Sequence, residues 1–312
     1  MTLAFVFPGQ GSQSVGMLAE LAARAPVMRA TFDEASAGAG ADLWAISQQG
    51  PDAELNRTEF TQPALLAAGV AVWRAWHVAG GAAPVQLAGH SLGEYTALVC
   101  AGAIGLAEGA ALVRERGRLM QAAVPAGVGA MAAVLGADDA VIAQACNDAA
   151  QGEIVAPANF NSPGQTVIAG HVAAVDRTLA LLAERGVRKA LKLPVSVPSH
   201  CALMREAADA LRARIATLAW RLPALPVVQN ADAVAHDTVP AIQDALVRQL
   251  YLPVRWTGCV EALVRAGATQ IGECGPGKVL AGLAKRIDKS LDSRALGAPT
   301  DFDAALDTWR TA

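Results

Sequence analysis

Along the chain, short apolar runs alternate with longer stretches in which apolar residues recur every three to four positions. LAFVF (3–7), PVQLA (84–88), LPVVQ (225–229) and TQIGE (269–273) read as strands. Residues 62–78, 92–101, 238–250, 254–266 and 278–287 carry the helical period. Strand–helix alternation of this kind predicts an α/β protein with a mainly parallel sheet covered on both faces. One stretch breaks the rhythm. GAMAAVLG reads as strand, ADDAVIAQACNDA as helix, GEIVAPAN and QTVIAG as strands, HVAAVDRTLALLAERG as helix and VRKALKLPV as strand. The order is βαββαβ, a ferredoxin-like split unit. It predicts a small domain over 126–195 inserted into a large one formed by 1–125 and 196–312.

Composition narrows the setting. With 312 residues, 53% of them hydrophobic, the chain can bury a large core and a satellite domain. A net charge of −3 gives no global attraction to nucleic acid. MTLAFVFPGQ has no basic segment ahead of its short apolar run, unlike a secretory leader. The longest weakly polar stretch, 97–107, falls well below the roughly 20 residues needed to cross a bilayer. The five cysteines are odd in number and lack CxxC spacing, against both a disulfide framework and a zinc site. The expectation is a soluble, monomeric protein of the reducing cytoplasm with no metal.

The chemistry centres on GHSLG (89–93). Glycine and serine are common in turns, so Gly-x-Ser-x-Gly alone is a weak signal. Here an apolar strand precedes it and a helical pattern follows, the context of a nucleophile elbow. The helix N-terminus supplies free N–H groups and a positive dipole end. Ser91 is the candidate nucleophile, and a hydroxyl needs a base. His90 precedes the serine and should point away from it. His77 falls on a helix rich in Trp and Val, His171 starts a helix of the small domain, and His236 sits in a polar loop. His200 follows VSVPS at the seam between the two domains, where ligand sites form, and is the candidate base. No Asp or Glu stands out as a third triad member, which leaves a Ser–His dyad with an imidazole oriented by a backbone carbonyl.

FPGQGSQ (7–13) follows the first strand. The sixth position of a GxGxxG frame is Ser14, so that phosphate-loop pattern fails. The alternative is a Gln10 backbone N–H facing Ser91 across the sheet edge, paired with the Leu92 N–H as an oxyanion hole. Arg116 lies in LVRERGRLMQ (112–121). It reads either as part of a solvated basic face with Arg114 and Arg118, or as a partly buried cation that needs a carboxylate.

Taken in order, FPGQGSQ, GHSLGEY, ERGRLMQ, NFNSPGQ, PSHCALM and LYLPVRW resemble the malonyl-CoA:acyl carrier protein transacylases of fatty acid synthesis. The resemblance covers nearly the whole chain and implies a hydrolase-like core. It implies Ser91 as the acylated nucleophile, His200 as general base and Arg116 as the grip on the malonyl carboxylate. Gln10 and Leu92 become the oxyanion donors. From RQLYLPVRW it implies that the Gln249 main-chain carbonyl orients His200, and from NFNSPGQ that Asn161 shapes the pocket. The implied reaction moves malonyl from malonyl-CoA to the phosphopantetheine thiol of the acyl carrier protein by a ping-pong route, with no cofactor. Three readings compete. A serine thioesterase or other hydrolase requires the absent acid, and a nucleotide-binding module requires the absent glycine pattern. A free-standing malonyl transferase serving a polyketide synthase or malonate decarboxylase keeps the same chemistry.

Overall fold

The computed structural model describes residues 2–125, 127–195 and 197–309. Its strands are β1 (Leu3–Phe7), β2 (Gln86–Gly89), β3 (Gly129–Leu135), β4 (Val155–Ser162), β5 (Gln165–His171), β6 (Lys189–Lys192), β7 (Val227–Gln229), β8 (Val234–Ala235), β9 (Gln270–Glu273) and β10 (Asp292–Ala295). One sheet has the order β10-β9-β1-β2-β7-β8. Every pair in it is parallel except β7–β8.

β1 shows why a continuous apolar run was needed. Its side chains alternate between two buried faces. Leu3, Phe5 and Phe7 enter one core with Trp76, and Ala4 and Val6 enter another with Trp256, Val260 and Leu263. Phe5 meets the edges of Trp73 and Trp76 at centroid distances of 5.7 and 5.6 Å. Truncating such a fully buried ring to alanine costs about 3–5 kcal/mol. This central strand is therefore a rigid base for the loop that follows it.

The second sheet has the order β4-β5-β3-β6 and is antiparallel throughout. With the helices Asp139–Ala150 and Val172–Glu184 it forms the βαββαβ unit. The sequence boundaries at 125/126 and 195/196 touch Ala126 and Ser196, which lie outside the described residues. β4 leans on the large unit. Phe160 N–H donates to the Val254 carbonyl and Val254 N–H to that of Ala158, both at 2.9 Å. The small sheet thus supplies one wall beside the C-terminal edge of the large one.

Several elements were not read from the sequence: the helix Pro26–Ala39, the short helices between it and residue 58, and the edge strands β8 and β10. β10 reads Asp-Ser-Arg-Ala, with Arg294 bonded to Asp292, so it carries no apolar signal. The helix expected from 62 begins at Thr58, because Pro63 falls inside it without ending it. Among the described residues, no helix is long and apolar enough to cross a membrane.

Candidate active site

β2 ends at Gly89 and the helix Leu92–Cys100 begins two residues after His90, with Ser91 at the corner. Ser91 has φ +51° and ψ −105°, a conformation a residue with a Cβ adopts at a cost of about 1–3 kcal/mol. The flanking glycines have a packing reason. A Cβ on Gly89 would lie 1.9 Å from the Gly93 carbonyl carbon, and one on Gly93 would lie 2.0 Å from the Phe7 oxygen. The helix start is pressed onto the ends of β1 and β2. Leu92 is the first helical residue, so its N–H has no carbonyl one turn back within the helix. Phe7 and Gly89 are in register, so the FPGQGSQ loop emerges beside the elbow. Gly9 is held there, where a Cβ would come within 2.6 Å of the His90 oxygen. Gln10 follows it, exposed at the same edge.

His200 is buried, also with positive φ (+62°), and its N–H donates to the Leu250 carbonyl at 3.0 Å. Its Nε2 lies 2.8 Å from Ser91 Oγ, and its Nδ1 lies 2.7 Å from the Gln249 carbonyl oxygen. A carbonyl can only accept, so Nδ1 carries the proton and the Nε2 lone pair faces the serine hydroxyl. Burial, followed by the charge of Arg116, pulls the His200 pKa down to about 3, with the Gln249 carbonyl pushing the other way. The imidazole is therefore held neutral, with a free lone pair on Nε2.

Arg116 projects from the helix Leu106–Ala123 and is 1% exposed. The solvated-face reading is therefore wrong for this residue, although Arg118 does lie outside, paired with Glu59. Nη1 donates to Gln62 Oε1 at 2.7 Å, and Nη2 donates to Gln249 Oε1 at 3.0 Å and to Ser91 Oγ at 3.2 Å. Its carbon stands 5.2 Å from the centre of the Tyr95 ring. Nε has no hydrogen-bond partner among the described residues. All its hydrogen-bond acceptors are neutral, so a positive charge sits beside the Ser91 hydroxyl with no carboxylate bonded to it, Glu94 acting on it only through space. That is costly unless an anion arrives.

Asn161, on β4, reaches His90, with Oδ1 2.8 Å from His90 Nε2. It ties the small sheet to the residue before Ser91. The remaining histidines are elsewhere. His77 bonds the Trp73 carbonyl, His171 accepts from Ile154 N–H, and His236 pairs with Asp232.

Sequence reasoning missed four side chains here. The Gln249 amide, not only its carbonyl, is part of the site: Nε2 donates to the Ser91 carbonyl at 2.9 Å. Gln62 is a polar residue in an apolar helix. Asn230 follows the C-terminal end of β7, the sheet edge where α/β proteins place ligand groups, and its side chain meets Ser91 N–H. Glu94 is fully buried just past the elbow, and burial raises its pKa to about 7 against hydrogen bonds that lower it. A polar residue inside GHSLGEYT or QNADA, each flanked by apolar sequence, was the available signal.

Set against known proteins, residues 4–275 match the acyl transferase domain. The chain is 57% identical over 303 residues to the malonyl CoA-acyl carrier protein transacylase of Salmonella typhimurium, covering 97% of this chain and 98% of that one. It is 39% identical to the Bacillus subtilis protein of the same name, covering 98% and 96%. The crystal structure of the Xanthomonas oryzae malonyl-CoA:acyl carrier protein transacylase superposes with a TM-score of 0.98 at 67% identity, with both chains fully covered. A malonyl-transacylase solved with its type II polyketide acyl-carrier protein gives 0.97 at 53% identity, over 99% of this chain and all of that one. The acyl transferase fold, the elbow it presents and this similarity end to end lead to one conclusion: the chain belongs to the malonyl CoA-acyl carrier protein transacylase family.

Proposed function

We propose that this enzyme, an acyl-carrier-protein S-malonyltransferase of fatty acid synthesis, works through a malonyl ester on Ser91. The supporting observation is Arg116, a buried guanidinium with no carboxylate partner and 3.2 Å from the Ser91 hydroxyl. One methylene separates the malonyl carboxylate from its thioester carbonyl. A substrate whose carbonyl sits at Ser91 therefore places its carboxylate on that guanidinium, whose planar fork binds both oxygens.

In the first half-reaction His200 Nε2 takes the Ser91 proton as Oγ attacks the thioester carbon. The Leu92 and Gln10 N–H groups receive the developing oxyanion. The C–S bond breaks, CoA leaves as a thiol with the proton from His200, and malonyl-Ser91 remains. In the second half the phosphopantetheine thiol gives its proton to His200 and attacks the ester carbon. Ser91 then leaves, reprotonated by His200. Gln249 orients the imidazole through its carbonyl and holds the Ser91 peptide through its amide. The substrate carboxylate also offsets the charge that depresses the His200 pKa, so the base strengthens when the correct substrate binds. Acid–base work by these side chains needs no metal or organic cofactor.

For the carrier protein we propose a basic surface at one end of the small sheet. Lys189 is in register with Leu135 and Leu135 with Gln165, whose side chain accepts from Arg286 at 2.9 Å. RGVRKALK (185–192) and AKRIDK (284–289) therefore lie side by side, with Arg188, Lys189, Lys285 and Lys289 exposed. Such a patch suits an acidic partner. Five free cysteines fit a reducing cytoplasm, and we propose a monomer there, tested by sedimentation. The reading as a whole is tested by incubating the enzyme with malonyl-CoA, then with holo carrier proteins of fatty acid and polyketide type. Discharge of the acyl-enzyme by the first is expected. Discharge only by water would make it a hydrolase.

A further inference from the structure

The acid that does not support His200 has a counterpart behind the nucleophile. Asn230 Oδ1 accepts from Ser91 N–H at 2.7 Å, while Asn230 Nδ2 donates to the Gly89 carbonyl at 2.8 Å. One primary amide thus spans the elbow, gripping the end of β2 and the peptide of Ser91 together. Asn230 is itself fixed at both ends of its backbone. Its N–H donates to Glu94 Oε2 at 2.7 Å, and its carbonyl accepts from Arg255 N–H at 3.0 Å. The second Glu94 oxygen accepts from Gln229 Nε2 at 3.2 Å. Asn230, Glu94 and Gln229 are all fully buried. Glu94 therefore stitches the first turn of the elbow helix to the end of β7, and Asn230 carries that connection to Ser91.

From this geometry we propose that Asn230, anchored by the Glu94 carboxylate, is a positioning residue that holds Ser91 in its attacking conformation. Ser91 has positive φ, and such a conformation persists only where its surroundings over-determine it. The Ser91 peptide is held on its N–H by Asn230 and on its carbonyl by the Gln249 amide and Glu94 N–H. The Ser91 N–H is thereby spent on structure, which leaves oxyanion binding to the N–H groups of Leu92 and of the neighbouring loop. Neither Asn230 nor Glu94 touches Ser91 Oγ, so both act through the backbone.

The inference rests on Ser91 being the nucleophile, and the test separates the two. The rate of Ser91 phosphonylation by a small neutral phosphonyl fluoride reports elbow reactivity with a reagent that carries no carboxylate for Arg116 and needs no CoA site. It is measured with kcat and KM for malonyl-CoA and the melting temperature in Asn230→Ala, Asn230→Asp and Glu94→Gln. Asn230→Ala should slow labelling and kcat at least tenfold with KM within twofold. Asn230→Asp keeps an acceptor for Ser91 N–H and should recover part of the labelling rate. Glu94→Gln retains one acceptor oxygen for two donors and should lose a few-fold. If Asn230→Ala does not fold, the aspartate and glutamine variants decide. Labelling at the native rate in the folded variants, or losses of kcat and KM that track the melting temperature, would overturn the proposal. An unlabelled native Ser91 would instead overturn the nucleophile assignment.

Discussion

Replacing Arg116 by alanine removes a buried charge that should act in two ways. First, it removes the malonyl carboxylate's only fixed counter-charge in the site described. Loss of one partner from a buried charge pair costs about 2–5 kcal/mol, or about 30-fold to several thousand-fold in kcat/KM. Second, it removes a cation close to the base. Nη2 is 3.2 Å from Ser91 Oγ, which is 2.8 Å from His200 Nε2, so the two nitrogens are at most 6.0 Å apart. At an effective dielectric near 20, a unit charge at that distance is worth about 3 kcal/mol, or about two pKa units. The His200 pKa, now about 3, should rise. The acid limb of Ser91 reactivity should therefore move to higher pH in Arg116→Ala. The assay is kcat/KM for malonyl-CoA and acetyl-CoA against pH, in the native enzyme, Arg116→Ala and Arg116→Lys. Malonyl transfer should collapse in the alanine variant, while acetyl-CoA, no longer stranding a buried cation, becomes a relatively better donor. Lysine, a point charge, should restore malonyl transfer only in part. Equal losses for both donors would refute the reasoning and make Arg116 a support of the fold or of CoA binding.

His200→Ala should lower transfer about 10²–10⁴-fold, the worth of a general base. Single Asp→Asn or Glu→Gln changes, Glu94→Gln included, should stay well short of that, and one correctly folded variant that matches His200→Ala would overturn the dyad. Reversing charge at Lys189 and Lys285 should raise the carrier KM, more so at low salt, and an unchanged KM would return these residues to ordinary solvation. Glu273 is buried under the start of the helix Val279–Ile287, its Oε2 accepting from Ala281 N–H at 2.8 Å, and burial raises its pKa to about 7. A raised carboxyl gives stability that is complete below its unfolded pKa and is lost as pH rises through the folded one. Glu273→Gln should accordingly flatten the fall in melting temperature between about pH 4.5 and 7, and an unaltered slope would show that Glu273 does not titrate there.

The strands that bear the site were legible because they are buried on both faces. LAFVF is buried at every position, PVQLA is buried at Leu87 and Ala88 although Val85 is exposed, and the elbow follows the second of them. The βαββαβ order was legible from length and period alone. The edges were not, since a polar four-residue strand such as Asp292–Ala295 has no apolar signature. In the site, sequence carried residues that stand in a motif, such as Ser91 and His200, which the structure brings within 2.8 Å of each other. It did not carry partners contributed from far along the chain. Gln62 and Gln249 are 54 and 133 positions away in their bonds to Arg116, from opposite sides, and periodicity says nothing about where their amides point. Glu94 was overlooked because an acid on a helix reads as solvated, and only packing puts it at 0% exposure.

The central claim is a malonyl ester on Ser91 that passes to a thiol. Intact-mass measurement of the protein after malonyl-CoA, and again after a holo acyl carrier protein, tests it most directly. The account predicts a single malonyl adduct, absent from Ser91→Ala although that variant folds, and its transfer to the carrier thiol in step with its loss from the enzyme. An adduct that survives in Ser91→Ala, or native transfer with no acyl-enzyme at any time, would contradict it.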